Sequence, residues 1–75
     1  MNNVDKVIEA IKQIVPNTRP ITIGYDKVVE VQKKSNLPKN VFISTCRVLK
    51  NKGILGLVEG NSEIVAISIP RNSIF

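Results

Sequence analysis

Hydrophobic positions change their period along this chain, and each period predicts an element. In residues 2–16, Val4, Val7, Ile8, Ile11, Ile14 and Val15 recur at three- and four-residue spacing, the mark of a helix with one buried stripe. Asn2 or Asn3 can cap its start, Asp5 suits the first turn and Pro16 ends it. The β-branched run Ile21, Thr22, Ile23 predicts a very short strand, closed by Gly24. From Tyr25 to Ser35, Val28 and Val31 share a side with Tyr25 one turn earlier, while Lys27, Glu30, Lys33 and Lys34 take the wet side. This predicts a second helix, with Tyr25 as a core plug.

Asn36 tolerates a left-handed backbone, Leu37 can fill the gap between two helices, and Pro38 has the fixed φ of a first helical residue. A tight turn and a third helix from about Pro38 to Lys52 are expected, ending at Gly53 with Lys50 and Lys52 in the last turn. Beyond it, two apolar β-branched runs flank "EGNSE", whose Gly-Asn reads as a hairpin turn. The tail "PRNSIF" keeps two apolar residues, Ile74 and Phe75. A chain of 75 residues supports one core, so the expectation is a single α+β domain over residues 1–75, ordered helix, short strand, helix, turn, helix, hairpin.

The third helix repays closer reading. At about 100° per residue, Phe42, Cys46 and Leu49 share one face with Thr45 beside them, which makes that face the buried one. The opposite side carries Asn40, Ser44, Arg47 and Asn51, spaced by four, three and four residues, with Lys39, Ile43 and Lys50 on its flank. Asn and Arg can make two-point hydrogen bonds to adenine and guanine edges, Ser bonds to bases or phosphates, and an isoleucine can meet a thymine methyl. A merely solvated face would more often carry Glu and Lys pairs.

Charge sharpens this picture. The net charge is +5, and its distribution is uneven: no acidic residue falls between Glu30 and Glu59, while Lys33, Lys34, Lys39, Arg47, Lys50 and Lys52 do. The absence of histidine and the single cysteine, Cys46, leave no set of base, nucleophile and orienting group, and no usual Cys/His metal site. No enzyme, cofactor or metal is therefore expected. Cys46 reads as a small core residue, and the lone thiol points to a reducing, cytoplasmic setting. No apolar run approaches the ~20 residues of a membrane span, and the first helix has too few basic residues for a lipid-binding face.

The segment "VQKKSNLPKNVFISTCRVLKNKGIL" resembles the helix-turn-helix core of winged-helix DNA-binding proteins, with Leu37, Phe42, Leu49, Lys52, Gly53, Ile54 and Leu55 on the matching positions. The resemblance extends over nearly the whole chain, to about Ile69: helix-turn-helix at about 25–52, two-stranded wing at about 54–69 and a tail at 70–75, with the first helix and the short strand completing it. It implies a winged helix-turn-helix fold with the third helix in the DNA major groove. Asn40, Ile43, Ser44, Arg47 and Asn51 would then face bases, and Lys33, Lys34, Lys39 and Lys50 phosphates. Small stand-alone domains of this kind resemble regulators of plasmids and viruses.

Two features depart from the family. Gln32 stands where a small alanine is usual at the contact between the second and third helices, so looser packing or a hydrogen-bonded amide is expected there. The wing tip carries Glu59 and Glu63 where Arg or Lys would touch DNA, which predicts a wing that stays off the DNA or serves another partner. The function expected is sequence-specific binding of double-stranded DNA as a transcriptional or replication regulator. A single module buries only about 600 to 1,000 Å², so a homodimer is expected, with the first helix and the tail residues Ile69, Ile74 and Phe75 as candidate interfaces. The rival is a protein-interaction adaptor of the same fold, which the acidic tip favours. Arg19 and Arg71 are either further phosphate contacts or solvated, and no pocket for a small effector is evident.

Overall fold

A computed structural model describes residues 1–73 and 75. Among these, three helices and a three-stranded antiparallel sheet follow in the order α1 (Asn3–Ile14), β1 (Ile21–Ile23), α2 (Tyr25–Ser35), α3 (Lys39–Asn51), β2 (Gly56–Gly60) and β3 (Glu63–Ile69). The fold is α+β, and each element lies within a residue or two of its expected place. The sheet order is β1-β3-β2, so the short first strand joins the hairpin as a third strand through Ile21 opposite Ile69 and Ile23 opposite Ile67.

Local chemistry accounts for the element ends. The side chain of Asn2 accepts the backbone N–H of Asp5 at 2.8 Å, satisfying one of the free donors at the start of α1. Val15 leaves the helix with ψ 132°, as a residue before proline must, and its N–H still closes on Ile11. Asn36 takes the left-handed conformation, φ 60° and ψ 29°, and lets the chain reverse between α2 and α3. Ser35 is buried at that turn; its hydroxyl donates to the Gln32 carbonyl at 2.6 Å and accepts from the Leu37 N–H.

Pro38 stands as the N-cap of α3 rather than its first residue, and its carbonyl accepts from the Phe42 N–H at 2.8 Å. The other end of α3 is closed by two bonds, Gly53 N–H to Lys50 and Ile54 N–H to Leu49, with Gly53 at φ 75°. This pair of bonds is the Schellman arrangement, which satisfies carbonyls that the helix leaves free.

The hairpin turn falls within the expected polar segment. Its central residues are Asn61 and Ser62, both at positive φ. Two central residues at positive φ give the turn twist that suits a two-residue hairpin. Val58 pairs with Ala66 but Glu59 pairs with Ile64, which leaves Val65 as an extra residue bulged from β3. The bulge explains how Ile64, Ile67 and Ile69 are all buried although the first two are an odd number of residues apart.

The core collects Val7, Ala10 and Ile11 from α1, Val28 and Val31 from α2, Phe42, Cys46 and Leu49 from α3, and the three isoleucines of β3. Two expectations are corrected here. Tyr25 is not a core plug: it is 45% exposed, and its hydroxyl donates to Glu63 at the start of β3. The tail does not leave its apolar residues in water: Ile69 is fully buried and Phe75 packs partly against the core, while Ile74 lies outside the described residues. Ile69 and Phe75 thus pack into this chain's own core.

Candidate nucleic-acid interface

The outer side of α3 is as its periodicity predicts. Asn40, Ser44, Arg47, Lys50 and Asn51 are exposed, Ile43 is half-buried against the core, and Phe42, Thr45, Cys46 and Leu49 face inward. Lys39, Asn40, Ile43, Ser44 and Arg47 come together, with Ser62 from the hairpin turn, around an open cleft of about 600 Å³. Asn51, at the end of α3, does not line this cleft. Lys34 lies elsewhere, beside α1, in a separate hollow of about 200 Å³ with Lys6, Glu9 and Gln13, and Lys33 is exposed on α2.

At the cleft, Ser44, Arg47 and Lys39 have defined hydrogen-bond partners. The Ser44 hydroxyl donates back to the Asn40 carbonyl at 3.0 Å, so what it offers outward is an acceptor. Thr45 makes the same back-bond to Val41 at 2.7 Å on the buried side. Arg47 reaches the hairpin: its Nη2 donates to Glu59 Oε1 at 2.7 Å and its Nε to the same oxygen at 3.1 Å, with Oε2 at 3.4 Å from Nε. Lys39 donates to Glu63 Oε1 at 3.0 Å, and the Tyr25 hydroxyl donates to that oxygen at 3.1 Å.

Glu59 arrives at Arg47 by strand geometry. It pairs with Ile64 across the ladder and follows Leu57 by two residues, so it shares the sheet face that looks inward to α3. The hydrogen bond from Arg47 holds the Glu59 carboxyl below the usual range, against partial desolvation, and Lys50 adds a smaller pull in the same direction. Glu63 is held low by Lys39 first and Tyr25 second. The same contacts raise the pKa of Arg47 and of Tyr25. Both carboxylates are thus firmly ionised at neutral pH and each is matched to one cation.

Sequence reasoning placed these two glutamates at the hairpin tip but missed that they bond to the helix face. Their partners are 12 and 24 residues away, and no local pattern links them. The alternation of β2 does carry a hint for Glu59, since it falls in phase with Leu57. Gln32 is half-buried and lines, with Val28, Phe42 and Glu63, a narrow crevice of about 20 Å³.

Remaining candidates resolve simply. Arg19 is anchored in its own loop, with Nη1 donating to the Pro16 and Thr18 carbonyls at 2.6 and 2.8 Å and the guanidinium 6.0 Å from the Phe75 ring centre. Arg71 is exposed. Burial pushes the Cys46 thiol up to about 12, which leaves no reactive thiolate. Among the described residues no cluster of His, Cys, Asp or Glu could hold a metal ion, and no helix is long and apolar enough to cross a membrane. Comparison with protein-family models, with curated proteins and with solved structures gives no match, so the functional reading rests on the residues themselves.

Proposed function

We propose that this chain is a winged-helix domain that binds double-stranded DNA sequence-specifically, with α3 in the major groove and the β2–β3 hairpin as its wing, regulating transcription or plasmid or viral replication. The observation that carries this reading is the outer side of α3. Asn40, Ser44 and Arg47 line one open cleft together with Lys39, on a helix that has no acidic residue of its own. These are the residue types that bond base edges, and a helix of this width fits the major groove of B-DNA. In this reading Ile43 and Asn51 complete the base-facing side, and Lys33, Lys34, Lys39 and Lys50 meet phosphates. Two copies on a two-fold site supply the contact area that one recognition helix lacks.

A second reading, a winged-helix adaptor for a protein partner, draws support from one observation: Glu59 and Glu63 cancel the charge of Arg47 and Lys39 at the mouth of the cleft. Fluorescence anisotropy separates the two. The chain is titrated onto random duplex and onto duplex from its own upstream region at several salt concentrations. DNA reading predicts a steep salt dependence with tighter binding to the upstream duplex. Arg47→Ala should then weaken specific binding by about 1 to 3 kcal/mol, with less effect on random duplex. Binding that vanishes by physiological salt without preference, and an Arg47→Ala variant indistinguishable from the parent, would overturn the DNA reading and turn the search to a pull-down for a protein partner.

A further inference from the structure

A carboxylate beside a DNA-reading arginine looks like an obstacle, because it cancels charge that phosphates would otherwise attract. The atoms at Glu59 indicate another role. An arginine guanidinium offers five N–H donors in a rigid planar fork. Glu59 takes those on one edge, Nε and one hydrogen of Nη2. Among the described residues no acceptor is bonded to Nη1. The edge left open is therefore Nη1 with the second hydrogen of Nη2, two parallel donors that match O6 and N7 of guanine.

We propose that Glu59 is a positioning residue that grips the Nε/Nη2 edge of Arg47 and so presents the Nη1/Nη2 edge to a guanine in the major groove. This rests on the DNA-binding reading above and names a specificity determinant within it. Three observations support it. The Arg47–Glu59 contact, at 2.7 Å, is the shortest ion pair among the described residues. The carboxylate is the less exposed partner, its side chain 29% accessible against 56% for Arg47, so the fixed member is the glutamate and the reaching member the arginine. Glu59 also sits on a strand rather than a loop, with its register fixed by Ile64 opposite. A long flexible side chain loses rotamer freedom when it binds a base; one already held loses less.

Lys39 and Glu63 provide the internal contrast. A lysine ammonium is a point charge without distinct edges, so a carboxylate on it orients nothing and only cancels its charge. The two glutamates of the hairpin therefore act differently although they look alike in sequence.

Glu59 thus has two effects of opposite sign. Removing Glu59 deletes a negative charge and should raise affinity for random duplex, yet it should lower discrimination for guanine at one position. The test begins with duplexes selected by the wild-type chain from a randomised library. Each guanine is then replaced by 7-deazaguanine, and binding is compared for wild type, Arg47→Lys, Glu59→Gln and Glu59→Ala, with circular dichroism to verify folding. One position should lose binding about five- to 150-fold in the wild type. Arg47→Lys and Glu59→Ala should shrink that loss to under about threefold at this position alone, and Glu59→Gln, which keeps one acceptor, to an intermediate value.

Arginine side-chain NMR on the free chain supplies a readout that needs no DNA: the Arg47 Nε–H should exchange slowly in the wild type and fast in Glu59→Ala. If guanine discrimination by Arg47 survives unchanged in Glu59→Ala, Glu59 is only a competing charge; the positioning role is overturned and the DNA reading stands. If the wild-type chain selects no duplex even at low salt, the DNA reading itself is overturned and this inference goes with it.

Discussion

The hydroxyl of Tyr25 donates to Oε1 of Glu63, and the same oxygen accepts from Lys39 Nζ. Tyr25 opens α2, Lys39 opens α3 and Glu63 opens β3, so one carboxylate oxygen ties the starts of three elements. The tie explains why Tyr25 lies at the surface although its spacing from Val28 and Val31 suggests the core. A phenol can cover apolar surface with its ring and still need a partner for its hydroxyl, and here that partner is at the rim.

Glu63→Gln should leave the fold intact and release the charge of Lys39. On the DNA reading, affinity for random duplex rises, and the slope of log K against log salt steepens by up to about 0.9, the value for one further neutralised phosphate. Anisotropy titrations at four or more salt concentrations measure the slope; an unchanged slope would remove Lys39 from the phosphate contacts.

Acid should loosen the hairpin's grip on the helices. Glu59 and Glu63 have folded pKa values below those of the unfolded chain, where a glutamate titrates near about 4.3. Their stabilisation is therefore present above about pH 4.3 and is lost as pH falls through the lowered folded values. Thermal melts between pH 6 and pH 2 should show an acid limb that flattens in the double variant Glu59→Gln, Glu63→Gln. An equally steep limb in that variant would place the acid sensitivity elsewhere.

Alkali should act through Cys46. Its thiol is raised to about 12 by burial, with Glu59 adding a smaller push in the same direction. Because the unfolded thiol titrates near about 8.5, the folded state is favoured fully below that pH and loses up to about 1.4 kcal/mol per pH unit between there and about 12. Urea melts at pH 8 and pH 10 should show this loss in the wild type and less of it in Cys46→Ala, whose overall stability is lower at both. A thiol reagent should label the native chain only as fast as it opens.

Gly53→Ala isolates a backbone effect. No atom lies within 4 Å of a Cβ built there, so the substitution meets no steric block. Its cost comes from holding alanine at φ 75°, on the order of 1 to 2 kcal/mol, and Gly53→Asn should cost less. Urea denaturation of the three proteins gives the ranking; an alanine variant as stable as the parent would show that the end of α3 rearranges.

What the sequence makes legible here is what repeats or what punctuates. Helical periods locate α1, α2 and α3, and Asn36, Pro16 and Gly53 mark their ends because each forces a backbone state. The buried and exposed sides of α3 follow from the same period. The ion pairs of Arg47 and Lys39 do not, since they depend on how far the hairpin leans over the helix, a property of the whole fold. Strand alternation counted back from Ile67 would put Ile64 on the outer face, and the unpaired Val65 changes that phase. The tail's burial was hidden for a similar reason: Ile69 is the last rung of a sheet whose third strand, β1, lies far back in the chain.

Val65 stands outside the pairing of its neighbours, so excising it would leave every cross-strand partner where it is, with Glu59 still opposite Ile64 and Val58 still opposite Ala66. Only the bend and extra twist of the hairpin would go. The core and the heading of the hairpin tip are therefore separable in this chain: the extra residue bends the strand between Ile64 and Ala66, while Ile64, Ile67 and Ile69 keep one buried face.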